Sequence, residues 1–205
     1  MFAECPFSIV EQPKFVYDGK WLKVRQVRFK KNDSSSEQVW ESAHRHKIPQ
    51  SKPSGVDVLA TLHKNGKKYF ILIKQYRIPM GGVCLEFPAG LINEGESVEA
   101  AAVRELKEET GYTVSKVISC SKGKQSLSPG LTDESINFVV VDVDGNAPEN
   151  KNPKQNLDDG ESIEVVLVES DKLLTYIESV STEVHVQSMV YAFALGMNYA
   201  QSCKV

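Results

Sequence analysis

The stretch VEAAAVRELKEET, residues 98–110, constrains this chain more than any other. Ser97 stands where a hydroxyl can accept a first-turn N–H, and Glu99 suits the positive start of a helix. Gly111 follows at the position where helices commonly end in left-handed backbone. The punctuation predicts a helix over 98–110. At 100° per residue, Glu105 and Glu109 fall in a narrow arc, with Glu108 beside them and Arg104 at its edge. Leu106, Val103 and Thr110 point the other way, Ala102 lies between, and Val98 and Ala101 sit among the carboxylates. Like charges three and four residues apart repel by about 0.2–0.5 kcal/mol per pair. Such a stripe is either a solvated acidic face or a seat for a hard cation, which prefers oxygen ligands. Spacing alone leans to the solvated face, since glutamate-rich surface helices are common.

The rest of the chain reads mainly as strands. Alternating runs at 15–17 and 21–29, separated by Asp18-Gly19, and a further run near 38–42 predict a small N-terminal antiparallel sheet. The polar SKPSG at 51–55 marks a boundary, giving an N-terminal β region at 1–54 and a main domain at 55–205. Runs at 56–62 and 68–74 flank Asn65-Gly66, a hairpin signal. A turn is expected at 91–95, and further strands at 114–118, 136–143 and 163–168. A long polar loop follows over 144–160, and a helix over 184–200.

Composition narrows the function classes. With 205 residues, 41% hydrophobic and 25% charged, the chain can bury a core and keep a soluble surface. A formal net charge of −3 offers no general attraction to nucleic acid or to an anionic membrane. No apolar run approaches the roughly 18 residues that would span a bilayer. The opening Met-Phe-Ala-Glu-Cys-Pro lacks a basic region, so no signal peptide is expected, and no prenylation box ends the chain. Cys5, Cys84, Cys120 and Cys203 form no CxxC pair and have no ligand spacing to the four histidines. Reduced thiols in a cytoplasmic protein, free to enter the nucleus, are the expectation.

Residues 90–112, GLINEGESVEAAAVRELKEETGY, resemble the Nudix box G-x5-E-x7-R-E-U-x-E-E-x-G-U, where U is aliphatic. Gly90, Glu96, Arg104, Glu105, Leu106, Glu108, Glu109 and Gly111 match, and only aromatic Tyr112 departs. The resemblance implies an α+β fold: an α/β/α Nudix sandwich around a mixed sheet, with the small N-terminal antiparallel β domain added. It implies magnesium, with manganese as a substitute, on Glu105, Glu108 and Glu109, aided by the backbone carbonyl of Ala89. Glu108 serves either metal contact or helix support. Arg104 and Glu96 would tie the loop to the helix, and Gly90 and Gly111 would be structural.

Longer segments, KQYRIPMGGVCLEFPAGLINEGES, WESAHRH, SPGLTDE and DGESIEV, resemble eukaryotic ADP-ribose and ADP-sugar pyrophosphatases over nearly the whole chain. That resemblance implies hydrolysis of ADP-ribose to AMP and ribose 5-phosphate. Arg77 and Ala89 would contact the substrate, Trp21 and Trp40 would stack on adenine, and a homodimer would form by exchange of the N-terminal sheet. Glu86 could touch substrate or metal, or pair with Arg77. Pro129 fits the loop beyond the box. Glu161 is the first candidate for general base and Glu109 its rival. The alternatives are a different nucleotide sugar, an oxidised nucleoside diphosphate, or a silent nucleotide-binding module.

Overall fold

Residues 70–73, Phe-Ile-Leu-Ile, form an apolar run with no polar gap, as a strand covered on both faces requires. The computed structural model describes residues 4–46 and 52–203, and Ser51, where the boundary segment begins, lies outside them. The first strands are β1 (Phe7–Ile9), β2 (Lys14–Asp18), β3 (Leu22–Lys31) and β4 (Glu37–Arg45). Then follow β5 (Gly55–Lys64), β6 (Lys67–Arg77), β7 (Gly82–Glu86), β8 (Ala89–Leu91), α1 (Val98–Thr110) and β9 (Lys116–Cys120). The remainder is β10 (Gln125–Ser126), β11 (Ser135–Asp144), β12 (Ile163–Glu169), α2 (Leu173–Val180), β13 (His185–Val186) and α3 (Ser188–Ser202).

Among the described residues, those within 1–54 and 124–136 form one compact unit, and those within 55–123 and 137–205 form the other. In the first, β3 pairs antiparallel with β1, β2 and β4. The second segment joins that unit because Leu131 O accepts from Ala43 N at 2.8 Å and Ser135 O from Ser54 N at 2.7 Å. The main domain therefore departs from the continuous 55–205 read from the sequence. Its segment 124–136 clusters with the N-terminal strands.

In the second unit β6 is central, paired with β5, β7 and β12. The pleat sends Ile71 and Tyr69 to one face, where they meet Ala101, Ala102 and Leu106 of α1. Phe70 and Leu72 face the other way, onto Leu173, Ile177, Val190 and Ala194 of α2 and α3. Helices thus cover both faces of a mixed sheet, in which β13 pairs parallel to β7. This is the α/β/α arrangement expected.

One helical expectation needs correction, and one helix was not foreseen. The C-terminal helix begins at Ser188, because 185–186 are held as a strand and Gln187 N donates to Leu85 O at 2.9 Å. Helix α2 carried no sequence signal beyond its apolar residues, being only eight residues long. No helix among the described residues is long and apolar enough to cross a membrane.

Candidate active site

Helix α1 starts and stops as its punctuation requires. Ser97 Oγ accepts from Ala100 N at 3.1 Å, and Gly111 is left-handed at φ 75°. Arg104 organises the loop before it. Its Nε and Nη2 each donate to Glu96 at 2.8 Å, and Nη2 also reaches Leu91 O at 2.9 Å. Its Nη1 donates to Glu105 at 2.7 Å and to Glu108 at 3.0 Å. These bonds engage all five N–H donors of one guanidinium. The pairing holds the Glu96 carboxyl below its ordinary range.

The carboxylate stripe is not a solvated face. Glu109 is only 2% exposed, and Ala101 beside it is also in the core. Glu109 accepts one backbone N–H, from Ala89 at 2.9 Å. Burial pushes its carboxyl up to about 8, opposed by the Ala89 N–H and reinforced by the negative charge of Glu105 and Glu161. Glu105 is also raised, mainly by burial, although Arg104 counteracts it. A Cβ on Gly90 would lie 2.0 Å from the Glu105 carboxyl carbon, so only glycine leaves this carboxylate its space.

A second charged group lies at the end of β6. Arg77 donates in bidentate fashion to buried Glu86, at 2.9 and 2.6 Å, which places Glu86 as the partner of Arg77. Asp57, opposite Ala89 in the β5–β8 pair, is 3% exposed. Its carboxylate accepts from Gln187 Nε2 at 3.3 Å, and Gln187 Oε1 accepts from Phe87 N at 3.3 Å. Burial raises Asp57 to about 7.

Glu161 is exposed on the loop before β12 and bonds locally, accepting from Asp158 N at 3.0 Å. Trp21 and Trp40 belong to the N-terminal unit, at 71% and 49% exposure. Lys20 Nζ lies 4.7 Å from the Trp21 ring centroid, and Trp40 meets Phe29 at 6.1 Å.

The sequence model of the NUDIX domain matches residues 52–185. The chain belongs to the Nudix family. A Caenorhabditis elegans putative nudix hydrolase 2 is 50% identical over 200 residues, covering 97% of this chain and 88% of the relative. A mouse ADP-sugar pyrophosphatase is 36% identical, covering 95% and 89%. A yeast ADP-ribose pyrophosphatase is 42% identical, covering 76% and 67%. A crystal structure titled as an ADP compounds hydrolase superposes with TM-score 0.67 at 20% identity over both whole chains, a likeness of fold.

The Nudix box thus holds two kinds of carboxylate. Among the described residues, no three His, Cys, Asp or Glu side chains stand arranged to hold a metal ion. The reason is local: Glu105 and Glu108 turn to Arg104, and Glu109 turns to Ala89 N. The donor set nevertheless fits a divalent cation. Glu109 is a buried carboxylate with a single neutral hydrogen bond, and its oxygen chemistry is that of a hard ion's ligand. Asp57 and Gln187 escaped the sequence reading, because isolated polar residues 130 positions apart carry no spacing signal.

Proposed function

We propose that this Nudix protein hydrolyses the diphosphate of ADP-ribose and related ADP-sugars, with magnesium or manganese, yielding AMP and ribose 5-phosphate. Burial of Glu109 beside the box loop carries the reading: desolvation there disfavours its anion, which a bound cation would restore. The names of the mouse and yeast relatives support the substrate class.

Glu105, Glu108 and Glu109 would hold the divalent ions, with the Ala89 carbonyl as a further oxygen. When bound, such ions supply positive charge to the diphosphate and acidify nearby water. Arg77 spends two of its donors on Glu86 and has N–H groups left for a phosphate oxygen. The pairing with Glu86 fixes the direction of that guanidinium before substrate arrives. Glu161 takes the proton of the attacking water. Among the contacts described it accepts from Asp158 N within its own turn, whereas Glu105 and Glu108 bond to Arg104. Glu109 is the rival base.

Trp21 and Trp40 would stack on adenine, to which their exposed indoles are suited. The apolar exposure of Phe15, Val16, Tyr17, Val39 and both tryptophans supports a homodimer through the N-terminal sheet.

The test is a panel of ADP-ribose, ADP-mannose and 8-oxo-dGDP with magnesium. AMP release fastest from ADP-ribose is expected. Preference for 8-oxo-dGDP would replace the substrate, and binding without any product would make the chain a silent module.

A further inference from the structure

A helix leaves its last carbonyls without intrahelical partners. In α1 the cap residue Gly111 takes Lys107 O, and the segment that leads to Glu161 takes the next two. Asn156 N donates to Glu108 O at 2.8 Å. Gln155 Nε2 donates to Glu109 O at 2.6 Å and to Ile163 O at 3.0 Å. One side-chain amide therefore joins the final turn of the glutamate helix to the first residue of β12. The chain between these two ties, 156–162, is the loop carrying Glu161. Gly111 shows how closely the strands of this junction pass, since a Cβ there would lie 2.3 Å from Lys154 N.

Glu161 itself bonds only within its turn in the contacts described above, so the roots of the loop govern where its carboxylate stands. The first root is fixed against the helix that carries Glu105 and Glu109, whereas Ile163 pairs with Gln75 of β6 and is tied to that helix through the Gln155 amide. We propose that Gln155 is a positioning residue, holding the two roots of this loop together so that the Glu161 carboxylate is presented to the diphosphate site. The proposal rests on the reading of Glu161 as base.

Gln155→Met tests it, keeping length while removing the donor. Gln155 is exposed but its two amide hydrogen bonds are part-buried, so the change costs some stability without removing any core side chain. kcat for ADP-ribose should fall about 10- to 100-fold, as misplacement of a reacting group by an ångström does, with KM nearly unchanged. The thermal midpoint should be lowered by only several degrees, so that the protein is fully folded at the assay temperature. In a Glu161→Gln background, Gln155→Met should add little, because the residue acts through Glu161. In metal-free protein, amide hydrogen exchange over 157–162 should quicken. Unchanged kcat, unchanged exchange, or an equal fall in both backgrounds overturns the proposal. A Glu161→Gln variant that turns over normally removes the base reading, and the proposal falls with it. That outcome is distinct from a slow Glu161→Gln variant with additive effects, which sinks the Gln155 role alone.

Discussion

Two arginines in the catalytic unit face similar carboxylates and reach opposite outcomes. Arg104 spends every donor on Glu96, Glu105, Glu108 and one carbonyl; the Glu96 carboxyl is held low, while burial still raises Glu105. Arg77 is committed to Glu86, while Asp57 and Glu109 stay buried with one hydrogen bond each described and are pushed up. Charge as fully paired as that of Glu96 makes a scaffold. Under-neutralised charge makes a site, because desolvated carboxylates gain most from a cation that arrives later.

The strongest way to break this contrast is to neutralise one member of each group. Glu109→Gln should lower kcat at least about 10²-fold, as loss of a charge-stabilising group in a preorganised site does. The metal-free variant should unfold no more easily than the parent at pH 9, since a desolvated charge has been removed. Steady-state AMP release and thermal melts check both parts, and substantial activity in the variant would end the metal-site reading. Arg104→Leu should behave differently, costing about 2–4 kcal/mol in urea unfolding, because three partly buried carboxylates lose their shared cation. A loss below about 0.5 kcal/mol would mean that the arginine is only a surface pair.

The sequence exposed the scaffold better than the site. Helix α1 was legible to the residue because Ser97 and Gly111 act locally, and the strands β5, β6 and β11 followed from β-rich apolar runs and the Asn65-Gly66 turn. The link between Arg104 and Glu96 was implied by the resemblance to the Nudix box, and the two side chains are hydrogen-bonded. A helical wheel gives direction only, so it placed Glu109 on the carboxylate arc without showing that β8 covers it. Helix α2 and the β13 strand were missed because their pairing and packing come from distant chain. The same holds for Asp57 with Gln187 and for Gln155 with Ile163, where a lone polar residue acquires meaning only through its tertiary partner.

The smallest effect is the most diagnostic of the two charge regimes. Asp57 titrates near pH 7 in the folded chain, against about 3.8 when free. Its folded pKa is raised, so its contribution to stability is complete below about pH 4 and declines as pH rises through 7. Asn has the same shape and its carbonyl can still accept from Gln187, but it carries no charge. The stability of Asp57→Asn relative to the parent should therefore climb between pH 4 and pH 8 and level off above. The climb should amount to about 1–3 kcal/mol, discounted from the full shift at 1.36 kcal/mol per unit. Glu96, held low by Arg104, has the opposite sign: its contribution is present at neutral pH and is lost as the solution becomes acidic. Urea titrations of the metal-free protein at successive pH values separate the two. Parallel curves for Asp57→Asn and parent would show that Asp57 keeps an ordinary carboxyl, and the distinction between saturated and under-neutralised groups would then rest on Glu109 alone.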